Sequence, residues 1–132
     1  MILPRRLLDQ MVSHASREAP LEACGLLGGR GGRARSFYPS INRAKSPVFF
    51  TIEPSEILRT LRQMDRAGEE LSAIFHSHPA TEAYPSDADL LHHHYPGSAY
   101  LILSLRGGGP ELRAYLIEGR RVREEPVEIE ED

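Results

Sequence analysis

The sequence is short of residues on which several classes of protein depend. Of its 132 residues, one is a cysteine, Cys24, and one is a lysine, Lys45. A single cysteine cannot form an internal disulfide bond, and it cannot supply the Pro-Cys-x-x-Cys motif of the zinc deaminases. The glycines of residues 28–32 lack the lysine and the following Ser or Thr of a phosphate-binding loop. The His-Glu-x-x-His helix of common metalloproteases is also absent.

Positive charge and long apolar runs are scarce as well. The formal net charge is -3 at pH 7, which gives no electrostatic reason to expect binding to nucleic acid or to an anionic membrane. No run approaches the roughly 20 apolar residues that span a bilayer. Residues 1–10 lack the apolar core and the cleavage site of a signal peptide. We therefore expect a cytoplasmic protein with neither nucleic acid nor membrane as partner.

Size and composition predict one globular domain. Hydrophobic residues make up 40% of the chain and charged residues 27%, which is typical of a soluble globular protein with a core. A chain of 132 residues is too short for two ordinary domains, so we expect a single domain over residues 1–132. The sequence leaves the oligomeric state open, and a homodimer is compatible with it.

The first third of the chain predicts a helix followed by a hairpin. Apolar residues recur there at helical spacing, at Leu3, Leu7, Leu8 and Met11, and predict a helix of about three turns. Residues 23–28 are typical of a short buried strand that enters a glycine-rich turn, and residues 35–39 are expected to pair back against it.

The middle of the chain predicts a strand and a second helix. Residues 48–52 are rich in β-branched and aromatic side chains, which favour a strand. Pro54 can occupy the first turn of a helix, and Gly68 can close it. The apolar residues between them predict one buried stripe on that helix, formed by Ile57, Leu58, Leu61 and Met64.

The remaining elements complete an α/β pattern. Residues 71–78 alternate as a strand, with Leu71, Ala73 and Phe75 facing one side. A short helix is expected to begin at Ser86. Further strands are predicted at residues 99–105, 112–117 and 122–129, the last an edge strand that carries Pro126. Strands and helices intermixed in this order predict a three-layer α-β-α fold with a central sheet.

Two histidines near the end of the predicted strand indicate a metal site. His76 and His78 are two positions apart, so their imidazoles project from the same face and can converge on one point. A catalytic zinc usually has three protein ligands and keeps a fourth position for water. Asp89, in the first turn of the following helix, could supply the third ligand. Glu22 could accept a proton from the water if its strand neighbours the histidine strand.

The spacing of these residues resembles a known family. His76-Ser77-His78-Pro79, then six residues, then Ser86 and Asp89, resembles the metal motif of the JAMM, or MPN-plus, metalloproteases of the compact prokaryotic type. Other parts of the family pattern have counterparts in residues 22–28, in residues 42–44, and in Phe50 and Pro54. The likeness covers most of the chain.

The resemblance implies a role for each residue. It implies one zinc ion per chain held by His76, His78 and Asp89, with Glu22 as general base and acid. It also implies that Ser86 helps to stabilise the oxyanion of the reaction. The fold implied is a mixed β-sheet flanked by helices, similar to that of the cytidine deaminases.

The resemblance also implies a substrate class. Members of the family hydrolyse amide or isopeptide bonds, often at the C-terminal tail of ubiquitin or a ubiquitin-like protein, and in bacteria and archaea the substrates are sulfur carriers and small modifiers. The chain leaves little room for the insertions with which larger relatives hold a second ubiquitin, so the sulfur-carrier or small-modifier role is favoured. The alternative is a non-catalytic MPN-type interaction domain, against which the intact ligand set argues.

Some of these residues also have ordinary structural explanations. A serine followed three residues later by an acidic residue, as in Ser86 and Asp89, caps a helix without any metal. Cys24 lies in an apolar strand and is expected to be a small buried hydrophobic residue. Residues 92–94 are three consecutive histidines, which point about 100° apart on a helix and cannot all reach one ion.

Overall fold

The computed structural model describes residues 1–93, 95 and 97–132. Within these residues the helices are α1 (Arg5–Glu18), α2 (Pro54–Arg66) and α3 (Asp87–Leu91). The strands are β1 (Ile2–Pro4), β2 (Cys24–Arg30), β3 (Arg33–Ser40), β4 (Glu70–His78), β5 (Ala99–Ser104), β6 (Glu111–Glu118), β7 (Arg121–Glu125) and β8 (Glu128–Glu130). They form one sheet in the order β7-β6-β5-β4-β2-β3-β1-β8.

Strand β4 lies in the middle of this mixed sheet. It pairs antiparallel with β2 on one side and parallel with β5 on the other. Residues Ala73–His78 are all buried, as expected for a strand that has neighbours at both edges and helices on both faces. The strand that carries the two histidines is therefore held more firmly than an edge strand would be.

The two long helices cover opposite faces of the sheet. Leu7 and Met11 of α1 pack in one buried cluster with Phe75 of β4, whereas Met64 of α2 packs in a second cluster with Ile74. Because Ile74 and Phe75 are neighbours on one strand, their side chains point to opposite faces. The predicted α/β fold, a mixed sheet flanked by helices in three layers, is confirmed.

Local departures from the predicted pattern have clear physical reasons. Residues 2–4 form β1 rather than the start of α1, so Leu3 is buried as part of a strand. Leu71 packs on the same side as Ile74, because the β2–β4 register shifts between Leu27 and Gly28 and the alternation is interrupted there. Leu58 is 50% exposed, since it lies about 100° around α2 from the buried face.

Two predicted strands also differ from the structure. Residues 48–52 are not a strand. The side chain of Asn42 donates a hydrogen bond to the carbonyl of Phe49 and accepts one from the amide of Thr51, so these backbone groups do not pair with a neighbouring strand. The predicted strand 122–129 is divided into β7 and β8, which lie at opposite edges of the sheet. Pro126 stands between them and cannot donate a backbone hydrogen bond.

None of the helices among the described residues could span a bilayer, and the longest, α1, has 14 residues.

The close approach of β2 and β3 generates a prediction for stability. A Cβ at Gly29 would lie 2.1 Å from the carbonyl oxygen of Arg33, so the backbone must shift to accept it. We expect Gly29→Ala to lower the free energy of unfolding by about 1–3 kcal/mol, measured by chemical denaturation. Gly108→Ala is the matched control, because a Cβ there meets no atom within 4 Å. Equal stability of the two variants would contradict this account of the hairpin.

Candidate metal centre

The structure brings together the three residues predicted as metal ligands. His76 and His78 lie at the C-terminal end of β4, and Asp89 lies in α3 just beyond the loop of residues 79–86. Nε2 of His76, Nε2 of His78 and Oδ2 of Asp89 are each 3.1 Å from the other two. All three residues are buried. One side-chain atom from each therefore faces a common point.

The contact of His78 with Glu82 decides which of its ring nitrogens can face the cluster as a ligand. Nδ1 of His78 lies 2.7 Å from the carbonyl oxygen of Glu82, and because a carbonyl only accepts, Nδ1 carries the proton. In the neutral ring Nε2 then presents a lone pair to Oδ2 of Asp89, and two acceptors at 3.1 Å repel each other. Either a second proton on the ring, donated to Asp89, or a metal cation shared by the three atoms removes that conflict.

The donor set fits a divalent metal ion. Two imidazole nitrogens and a carboxylate oxygen are ligands that zinc takes in catalytic sites. Ligands bonded to a tetrahedral zinc at about 2.0–2.1 Å lie about 3.3 Å from one another, close to the 3.1 Å observed here. The hydrogen bond from His78 to Glu82 is the kind of support that metal-binding histidines usually have.

Helix capping and the candidate ligand set use the same aspartate. The amide of Ser86 donates to Oδ2 of Asp89 at 2.9 Å, and the amide of Asp89 donates to Oγ of Ser86 at 3.1 Å. This reciprocal pair is a capping box. The cap orients the carboxylate so that Oδ2 also faces the histidines, so the capping role is compatible with a ligand role for Asp89.

Burial and charge shift the pKa values of these groups. Burial lowers the pKa of His76, although Asp89 opposes the shift. Burial acts in the same direction on His78, but hydrogen bonds to Asp89 and to the Glu82 carbonyl outweigh it and raise the pKa of that ring. Burial alone would raise the pKa of Asp89. Its interactions with the two histidines and the Ser86 amide outweigh burial and hold the pKa below the usual range. The ionised form of Asp89 is thus favoured.

Glu22 lies beside this cluster, as its predicted role requires. It lies two residues before the start of β2, whose Cys24 pairs with His76 across the β2–β4 ladder. Oε2 of Glu22 is 4.0 Å from Nε2 of His78, and Oε1 is buried with no hydrogen-bond partner among the described residues. Burial raises the pKa of Glu22 to about 8. A buried carboxyl with one free oxygen next to the cluster is placed to exchange a proton with a group bound there.

Ser77 joins Ala23, the residue after Glu22, to the histidine strand, and sequence reasoning gave Ser77 no role. The amide of Ala23 donates to Oγ of Ser77 at 2.8 Å, and the amide of Ser77 donates to the carbonyl of Ala23 at 2.9 Å. These two bonds extend the β2–β4 pairing past Cys24 and fix the residue next to Glu22. A polar residue enclosed between two candidate ligands was the available signal in the sequence.

An apolar cavity opens next to the cluster. Its volume is about 620 Å³, and its walls include His76, Asp89, Phe49 and Phe50 together with apolar residues of α2 and the central strands. Neither Glu22 nor Ser86 lines it. The cavity therefore offers room for an apolar group beside the histidine and aspartate side of the cluster.

The other candidate residues lie outside the cluster. Cys24 is fully buried, as predicted, and burial raises the pKa of its thiol to about 12, so it is unsuited to nucleophilic attack at neutral pH. His92 is exposed with its ring against Phe49, and His93 bonds the carbonyl of Gly119. His94 lies outside the described residues.

Comparison with known proteins gives a consistent result. The family model described as "Prokaryotic homologs of the JAB domain" matches residues 4–118. The CysO-cysteine peptidase of Mycobacterium tuberculosis is 40% identical over 134 residues, which cover 99% of this chain and 92% of that protein. A protein of Thermus thermophilus named "Probable TtuB-protein conjugate cleaving protease" is 36% identical over 124 residues, 92% of this chain and 80% of its own.

A solved structure extends the likeness to three dimensions. The solution structure of a protein from Desulfitobacterium hafniense matches with a TM-score of 0.92 and 37% sequence identity. The match covers 100% of this chain and 94% of that one.

The geometry of the cluster generates a prediction about metal content. After saturation with zinc and removal of the excess, we expect about one zinc per chain in the wild type and in Glu22→Gln, because Glu22 lies outside the group of three donors. His78→Ala should retain little zinc, since two ligands hold the ion poorly. His92→Ala is the matched control, an exposed histidine outside the triangle, and should retain one. Equal zinc in all four proteins, measured by elemental analysis, would refute the ligand assignment.

Proposed function

Because the chain belongs to the family of prokaryotic homologues of the JAB domain, we propose that it is a zinc-dependent peptidase. Its proposed reaction is hydrolysis of an amide bond at the C-terminal tail of a small sulfur-carrier or ubiquitin-like modifier protein. The observation that carries the proposal is the triangle of donors at 3.1 Å with the carboxyl of Glu22 4.0 Å from His78. The proposed ligands and the proposed proton-transfer group thus lie side by side.

The substrate class is inferred from relatives and from size. The two relatives are named for cleaving CysO-cysteine and TtuB-protein conjugates. The JAMM resemblance adds that such substrates in bacteria and archaea are sulfur carriers and small modifiers. A cytoplasmic location is part of the proposal, because the one cysteine is buried and free and the fold has no disulfide that an oxidising compartment would serve.

The metal site would be formed by His76, His78 and Asp89. When bound there, zinc supplies a Lewis acid that polarises the scissile carbonyl and lowers the pKa of water to about 7. The support from Glu82 keeps the proton of His78 on Nδ1, so that its Nε2 remains free to be a ligand. The capping box holds the carboxylate of Asp89 toward the histidines.

Glu22 is the proposed proton carrier. It accepts one proton from the attacking water while the water oxygen bonds to the carbonyl carbon. It then returns that proton to the leaving nitrogen as the carbon–nitrogen bond breaks. Burial raises the pKa of Glu22, which brings it closer to the pKa of about 7 that zinc would give its bound water.

Ser86 is the proposed donor to the oxygen of the scissile carbonyl. Its Oγ accepts from the amide of Asp89, which leaves the hydroxyl proton free to point elsewhere. A donor fixed in place before the reaction stabilises the negative charge that develops on the carbonyl oxygen. The cap that orients Asp89 also holds Ser86 at the edge of the cluster.

Mass spectrometry of defined adducts tests the proposal. One probe is a carrier protein that ends in Gly-Gly with a single added cysteine, and a second is the same carrier joined to a lysine side chain of a peptide. We expect the zinc-loaded wild type to remove the added group from at least one probe. Glu22→Gln should retain its zinc but cleave about 10²- to 10⁴-fold more slowly, because it cannot carry the proton.

The control is Glu70→Gln, which removes an exposed carboxylate at the opposite end of β4 and should cleave at the wild-type rate. No change in tail mass with either probe would overturn the substrate class. An unchanged rate in Glu22→Gln would overturn the role of Glu22.

A further inference from the structure

The ring of His76 is held differently from the ring of His78. His78 has its Nδ1 bonded to the carbonyl of Glu82. Nδ1 of His76 is buried and, within residues 1–93, 95 and 97–132, has no hydrogen-bond partner. Metal-binding histidines almost always have such a partner, because it fixes the orientation of the ring. The ring of His76 must be oriented by another contact.

That contact is with an aromatic side chain. The ring of Phe50 stacks on the ring of His76, with centroids 4.7 Å apart and planes inclined by 24°. The ring of His78 meets the same imidazole edge-on at 4.9 Å. Stacked and edge-on contacts restrict the plane of a ring as well as its position. Phe50 therefore limits rotation of the His76 ring about its Cβ–Cγ bond.

Phe50 is itself fixed by the buried side chain of Asn42. Nδ2 of Asn42 donates to the carbonyl of Phe49 at 2.9 Å, and Oδ1 accepts from the amide of Thr51 at 3.2 Å. These bonds hold the residues on either side of Phe50. The same Nδ2 donates to the carbonyl of Glu22 at 2.9 Å. One amide group thus ties the loop that carries Phe50 to the backbone of the proposed proton carrier.

We propose that Phe50 is a positioning residue, which fixes the imidazole plane of His76 for the metal by stacking where a hydrogen bond to Nδ1 would ordinarily do so. The inference rests on the metal site of the proposed function. It adds that the loop of residues 41–53, which is neither helix nor strand, contributes to metal affinity without supplying a ligand.

Zinc affinity measured by competition with a chelator tests this role. Phe50→Leu keeps an apolar side chain but removes the flat ring, and we expect it to weaken zinc binding by about 10- to 100-fold, as loss of a supporting partner usually does. Phe50→Tyr keeps the ring and should bind zinc within about threefold of the wild type. Rescue by the conservative variant separates stacking from general packing.

Phe49→Leu is the matched control. Phe49 belongs to the same loop and also lines the cavity, but its ring lies against His92 at 4.9 Å. This variant should bind zinc like the wild type. The thermal unfolding midpoint of metal-free Phe50→Leu should stay close to that of Phe49→Leu, because leucine keeps an apolar side chain against the core cluster on which Phe50 packs.

The possible results separate this inference from the function on which it rests. Wild-type affinity in Phe50→Leu, with normal zinc uptake by the wild type, would overturn the role of Phe50 alone. An equal loss in Phe49→Leu, or a metal-free midpoint that falls only in Phe50→Leu, would assign Phe50 to packing and overturn the inference as well. Failure of the wild type to take up zinc would overturn the proposed function together with it.

Discussion

The contact among one carboxylate oxygen and two imidazole nitrogens is the constraint on which the site depends. Oδ2 of Asp89 and Nε2 of His78 are both acceptors when Nδ1 of His78 donates to Glu82, yet they lie 3.1 Å apart inside the protein. Buried acceptors in contact are unfavourable unless a proton or a metal cation lies between them. The fold must therefore hold this contact in place, and the arrangement fits a bound metal ion.

The rest of the structure supplies that support from several directions. Strand β4 is paired on both sides and covered on both faces. Ser77 fastens the chain before β2 to β4, and the hydroxyl groups of Ser104 and Tyr115 bind the carbonyls of Thr81 and Ala83 in the loop between the histidines and α3. The two histidines, the residue next to Glu22 and the loop that leads to Asp89 are thus all attached to the central sheet. Rigid support of this kind is what a site needs to keep its geometry.

The sequence predicted the parts of this molecule that depend on local pattern. The alternation in β4, the periodicity of α1 and α2 and the cap at Ser86 are local signals. The spacing of His76, His78 and Asp89 could be recognised because it resembles a family motif. Contacts with no recognisable sequence pattern could not be read: the register shift that moves Leu71, the hydrogen bonds from Asn42 to the backbone on either side of Phe50, and the bond from His78 to the Glu82 carbonyl. These arise from tertiary structure, where a local preference such as that of residues 48–52 for a strand is overridden.

The most direct test of this account is a crystal structure of the protein grown with zinc, with data collected at the zinc absorption edge. The account predicts one zinc ion bonded to Nε2 of His76, Nε2 of His78 and Oδ2 of Asp89 at about 2.0–2.2 Å, with Glu22 close by and not bonded to it. An anomalous signal at other residues, or no signal at these three in zinc-saturated crystals, would contradict it.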